Sequence, residues 1–151
     1  MFRSKIHQIL FFAAFVLAGC SQEEYVSDAE DRVKKADWLK METVQVRMSE
    51  YQFGPSSLTF RVGVPYKLEI INDGSVQHYF SARMFFRSIA ARKIESRTDG
   101  EVKAPYFYEA EINPGRSLDL YFIPVRRGQY QVRCIKEGHE QLGMRGQIII
   151  E

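Results

Sequence analysis

From Thr43 onward, apolar residues return at every second position. Val44, Val46 and Met48 alternate with Gln45 and Arg47; Leu58, Phe60 and Val62 with Thr59 and Arg61; Tyr66, Leu68 and Ile70 with Lys67 and Glu69. Neighbouring side chains of an extended chain point to opposite faces, so this period builds strands with one apolar face. Leu118, Leu120 and Phe122 share a face, as do Tyr130, Val132 and Cys134, and residues 147–151 form a last apolar strand. Turn residues separate the runs: Gly54-Pro55, Asn72-Asp73-Gly74, Asn113-Pro114-Gly115 and Arg127-Gly128. Many short strands with frequent turns predict an all-β sandwich or barrel over residues 43–151.

One stretch breaks the rhythm. Residues 81–104 carry Arg83, Arg87, Arg92, Lys93, Arg97 and Lys103 against Glu95, Asp99 and Glu101. Phe85, Phe86, Ile89 and Ala90 give it a partly helical pattern, which predicts an excursion between strands that is helical near residues 85–91. Its basic side chains are suited to steering an acidic partner, although such a charge run is more commonly a solvated surface.

The N-terminal part has a different character. Residues 1–19 combine Arg3 and Lys5, an apolar run from Ile9 to Val16, and Leu17-Ala18-Gly19 before Cys20. This is the layout of a secretory signal, too short to span a bilayer as a retained helix. It resembles a bacterial lipoprotein leader, which implies that Cys20 is lipidated and anchors the chain to a membrane of the cell envelope, facing the periplasm or the exterior. Residues 20–42 then read as a charged tether. Ser27-Asp28-Ala29-Glu30 fits a capping box, and the spacing predicts a short helix over residues 28–40. Trp38 and Leu39 are its candidate docking residues, the alternative being a solvated spacer.

Removing a leader that holds Arg3 and Lys5 from a chain with 21 basic and 19 acidic residues balances the formal charge, so nothing in the charge suggests a nucleic-acid partner. A lipidated Cys20 leaves Cys134 as an unpaired thiol in an oxidising compartment. Such a thiol survives there if it is buried or holds a metal.

Cys134 lies in a loop with chemistry of its own. His139 follows after four residues and Met144 after four more, with Gly138 and Gly143 directly before them. The chain has three histidines; His7 lies in the leader, so His78 is the partner left for His139. A thiolate, two imidazoles and a weak thioether are the donors of a blue-copper site. The candidate metal ligands are therefore His78, Cys134, His139 and Met144. The supply of cysteine and histidine leaves nothing for a second copper centre.

The spacing Cys134-x4-His139-x4-Met144-Arg145-Gly146, taken with His78, resembles that of the cupredoxin family, the plastocyanin and azurin type of blue-copper protein, and its auracyanin-like members in particular. The resemblance implies a Greek-key β-sandwich, copper near one end, His78, Cys134 and His139 as equatorial ligands, and Met144 as the weak axial one. It also implies that electrons pass through the edge of His139. The chain departs from the family in carrying Tyr79 where plastocyanins and azurins have an asparagine that ties the ligand loops together. Glu137, Glu140 and Met84 are further side chains with donor atoms near these positions in sequence.

The function expected from these residues is a membrane-anchored, monomeric carrier of single electrons between envelope redox proteins such as a cytochrome or an oxidase. A four-ligand site offers no open position to a substrate, so the chain is not expected to be an enzyme. The alternative is an envelope protein that stores, senses or delivers copper to an acceptor protein.

Overall fold

The computed structural model describes residues 24–96, 98 and 100–151, so the leader and Cys20 lie outside the described residues. Among the described residues, eleven strands form two sheets. In one, β2 (Gln52–Gly54), β1 (Glu42–Ser49), β4 (Tyr66–Asn72), β9 (Ser117–Pro124), β6 (Ile89–Ser96) and β7 (Gly100–Val102) lie side by side in that order. The other has the order β3 (Ser57–Phe60), β11 (Arg145–Ile150), β10 (Gly128–Arg133), β5 (His78–Ser81) and β8 (Glu109–Ile112). Both sheets are mixed: β1 runs parallel to β4 and β3 parallel to β11, while the other pairs are antiparallel. Strands far apart in sequence become neighbours because the chain crosses repeatedly between sheets, as the expected Greek-key sandwich requires.

The alternating runs face where their period puts them. Tyr66, Leu68 and Ile70 of β4 are buried while Lys67, Glu69 and Ile71 between them are half-buried. Inward residues of both sheets meet in one core, where the rings of Phe60 and Phe122 touch each other and those of Tyr66 and Phe85. Edge-to-face aromatic pairs of this kind add about 0.5–1.5 kcal/mol each beyond the area they bury.

The excursion differs from expectation. Helix is confined to α2 (Arg83–Phe86), and the residues after it form β6, paired along its length with β9. Two features hid this strand. A register shift between Ala91 and Lys93 interrupts its alternation. The outer face of its first residues is also covered, so Ile89, Ala90 and Ala91 are all buried and the start of the strand shows no polar face in the sequence.

What covers it is the segment before β1, the expected tether. A helix, α1 (Ala29–Lys35), and a 3-10 turn (Trp38–Lys40) pack Val26, Ala29, Val33, Ala36 and Trp38 against Ala90 and Ile123. The helix is shorter than expected because Asp37 accepts from the N–H of Leu39 and starts a new turn. Asp28 caps without a side-chain bond and pairs instead with Arg32 at 2.9 Å, so the capping box does not form. Trp38 docks, its indole N–H donating to the Val33 carbonyl and its ring lying under Arg92. Leu39 does not dock: it is 98% exposed, because the tight turn sends it away from the sheet. No helix among the described residues is long and apolar enough to cross a membrane.

Candidate metal centre

Three segments meet at one end of the sandwich. His78 opens β5, Cys134 follows the last residue of β10, and His139 lies in the loop that leads to β11. Alternation along β10 turns Val132 and Cys134 inward, as the sequence suggests. The loop reverses at Gly138 (φ 80°) and Gly143 (φ 102°), left-handed conformations that a side chain would strain. Its base is closed by two backbone bonds, Cys134 N–H to Met144 O at 3.1 Å and Met144 N–H to His139 O at 3.0 Å.

The donor atoms converge. Sγ of Cys134 lies 3.8 Å from Nδ1 of His78 and 3.5 Å from Nδ1 of His139, and the two Nδ1 atoms are 3.2 Å apart. These three residues are buried, with their ligand atoms all within 4.8 Å of one another, the one such group among the described residues. Burial first, then the charge of His139, pushes His78 below the usual imidazole range; burial and Lys136 do the same to His139. Lowered in this way, both imidazoles favour the neutral form near pH 7, in which one ring nitrogen carries a lone pair. The 3.2 Å separation of the two Nδ1 atoms suits a proton shared between the rings or a cation bound by both. A soft thiolate with two imidazoles in a dry pocket fits one copper ion.

Met144, at the end of the loop, is fully buried in the core. The remaining sequence candidates point elsewhere. Glu140 sits between Arg133 (3.3 Å) and Arg145 (3.5 Å), and Glu137 is exposed. Met84 is half-exposed on α2, lining a surface groove with Ser81, Tyr130 and Arg133.

The missing asparagine is replaced in pieces. The backbone N–H of Tyr79 donates to Cys134 Sγ at 3.4 Å, while the Tyr79 hydroxyl bonds to Gln77. Asn72, six positions before His78, is completely buried and binds the carbonyls of Val76 and Ile112 at 2.8 Å each and the N–H of Gly74 at 2.9 Å. It shapes the turn from which His78 enters.

Two residues of the β1–β2 turn, which sequence reasoning missed, touch the histidines. The Tyr51 ring meets that of His139 edge-on at 4.9 Å. Oε1 of Glu50 accepts from the N–H groups of Ser75 (2.8 Å) and Val76 (3.0 Å) and lies 3.6 Å from Nε2 of His78. Bonds from its own backbone N–H, then from those of Ser75 and Val76, hold the Glu50 carboxyl down to about 2. No local pattern marks Glu50 or Tyr51; the sole sequence signal nearby is the Asn72-Asp73-Gly74 turn.

Comparison with known proteins gives likeness in structure alone: no protein-family profile and no curated protein sequence matches the chain. Among solved structures it is similar to the copper-containing nitrite reductase of Thermus scotoductus (14% identity, TM-score 0.59, 86% of this chain and 34% of that one). It is also similar to a multicopper oxidase from Campylobacter jejuni (19% identity, TM-score 0.55, 78% of this chain and 31% of that one). The chain spans about a third of the length of each enzyme. Auracyanin B matches with 19% identity and a TM-score of 0.49, over 72% of this chain and 88% of that one. At these identities the first two matches establish the fold, which is the cupredoxin β-sandwich.

Proposed function

We propose that this chain is a lipid-tethered carrier of single electrons in the cell envelope, holding one copper ion between His78 Nδ1, Cys134 Sγ and His139 Nδ1 with Met144 as the weak fourth donor. The observation that carries this reading is the convergence of the three buried donor atoms within 4.8 Å of one another. Bound copper supplies a one-electron Cu(I)/Cu(II) couple.

The protein residues do the rest. His78 is fixed by its place at the start of β5, and Cys134 by the N–H of Tyr79 and the closed base of its loop. Donors held this firmly move little when the charge of the site changes, which favours rapid transfer. Around His139, the exposed apolar side chains of Tyr51, Ile135 and Leu142 offer a rim to a protein partner. The partner class is a redox protein such as a cytochrome or an oxidase. Four protein donors leave no place for a substrate, which supports a carrier over an enzyme.

The tether supports an orientation as well. Tyr25 donates to the Phe107 carbonyl and its ring meets that of Tyr106 at a tilt, and Arg126 donates to the Glu24 carbonyl, so the chain is bound to the domain from Glu24 onward. Five residue steps separate Tyr25 from Cys20, a reach of at most about 18 Å. Arg126 precedes β10 and Cys134 follows it, placing the two ends roughly 20 Å apart along that strand. A lipid on Cys20 therefore holds the Tyr106 end near the membrane and turns the copper end toward partners.

Absorption and paramagnetic-resonance spectra of the copper-loaded protein test the assignment. An intense thiolate-to-copper band in the visible is the expected result, and a colourless complex overturns it. Fast copper transfer to an acceptor protein with sluggish electron self-exchange would assign the protein to copper delivery instead.

A further inference from the structure

We propose that Glu50 is the outer partner of His78, accepting its Nε2–H to fix the ring and lowering the reduction potential of the site. This rests on the copper reading above. Ligation through Nδ1 leaves the imidazole proton on Nε2. That nitrogen is buried and has no hydrogen-bond partner among the described residues. The acceptor facing it is Oε1 of Glu50 at 3.6 Å.

The carboxylate is held at this spot rather than free to wander. Ser75 N–H, Val76 N–H and the Ser75 hydroxyl all donate to the same oxygen, at 2.8, 3.0 and 3.2 Å. The approach also depends on Gly74, where a Cβ would come within 2.8 Å of both Glu50 Oε1 and His78 Nε2. Three elements thus create the pairing: the end of β1, the β4–β5 turn and the first residue of β5. A carboxylate behind a ligating histidine fixes its tautomer and raises its basicity, which favours the more highly charged metal.

Glu50 also binds the turn, so the test must separate charge from scaffold. Glu50→Gln keeps the shape and an acceptor oxygen but removes the charge. Voltammetry of the copper-loaded variant should show a rise in potential of about 59 mV, corresponding to a tenfold shift in the Cu(II)/Cu(I) affinity ratio. Glu137→Gln, which removes an exposed carboxylate from the copper loop, should shift it much less. Nitrogen-15 NMR of the unmodified Cu(I) protein needs no variant and should show the His78 Nε2–H in slow exchange with solvent. An unchanged potential in Glu50→Gln, an equal shift in Glu137→Gln, or a rapidly exchanging Nε2–H each overturns the proposal. If the unmodified protein lacks the thiolate-to-copper band, the copper reading fails first and takes this proposal with it; the band alongside a silent Glu50→Gln removes the Glu50 role alone.

Discussion

The backbone N–H of Tyr79 points at Sγ of Cys134 across 3.4 Å, so the residue after one histidine holds the sulfur that follows another strand. A main-chain donor does this regardless of the side chain at position 79, which explains how tyrosine is accepted there. Cys134→Ser keeps the size and leaves the hydroxyl close to that N–H, so metal-free stability should change by no more than about 1 kcal/mol. The visible band should disappear. Thermal melts and absorption spectra of the same samples check both halves.

Copper should stabilise the fold, because the His78, Cys134 and His139 donors converge within 4.8 Å only in the folded chain and there gain a shared cation. Free copper at a thousand times its dissociation constant adds about 4 kcal/mol. For a domain of this size that is a rise of roughly 10 °C in melting temperature. Calorimetry before and after chelation measures it; equal melting points would mean the site does not hold copper in the folded state.

Gly74→Ala drives a methyl group into the Glu50 and His78 side chains, with both atoms 2.8 Å from the new Cβ. Crowding of this kind costs about 1–3 kcal/mol of stability. Displacing the outer partner of a ligand should weaken copper binding by roughly 10–100-fold. Competition titration against a chelator of known affinity reads the second effect, and a wild-type affinity would contradict the geometry.

Val26→Asp puts a carboxylate into the small cluster that joins the tether to Ala90 and Ile123. The tether should undock with a loss of about 1–3 kcal/mol. Trp38, the single tryptophan, reports this as a red shift in its emission. The copper spectrum should not change, since the cluster lies away from the donors; a change would show that the tether supports the site.

Orientation at the membrane can be read with fluorophores on Tyr106→Cys and Leu142→Cys, positions that are 58% and 60% exposed. In copper-loaded, lipidated protein on phospholipid vesicles, quencher lipids should dim the label at position 106 far more than that at 142. Equal quenching would refute the proposed orientation, and Cys20→Ser should release the protein from the vesicles.

The alternating strands and the candidate metal donors were legible in sequence for one physical reason: each is a local property. A strand with one wet face records its period in consecutive residues, as β4 does, and thiol, imidazole and thioether chemistry belongs to single side chains. Strand β6 left no such trace, because α1 buries its outer face and a bulge breaks its register. The roles of Glu50, Tyr51 and Asn72 were equally hidden, since each arises from a contact between segments distant along the chain. Sequence alone therefore determined the chemistry of the candidate donor set and the layered β architecture. Only the folded chain decided what lies behind each histidine, and that the tether is part of the domain, because both depend on which surfaces the crossing strands bring together.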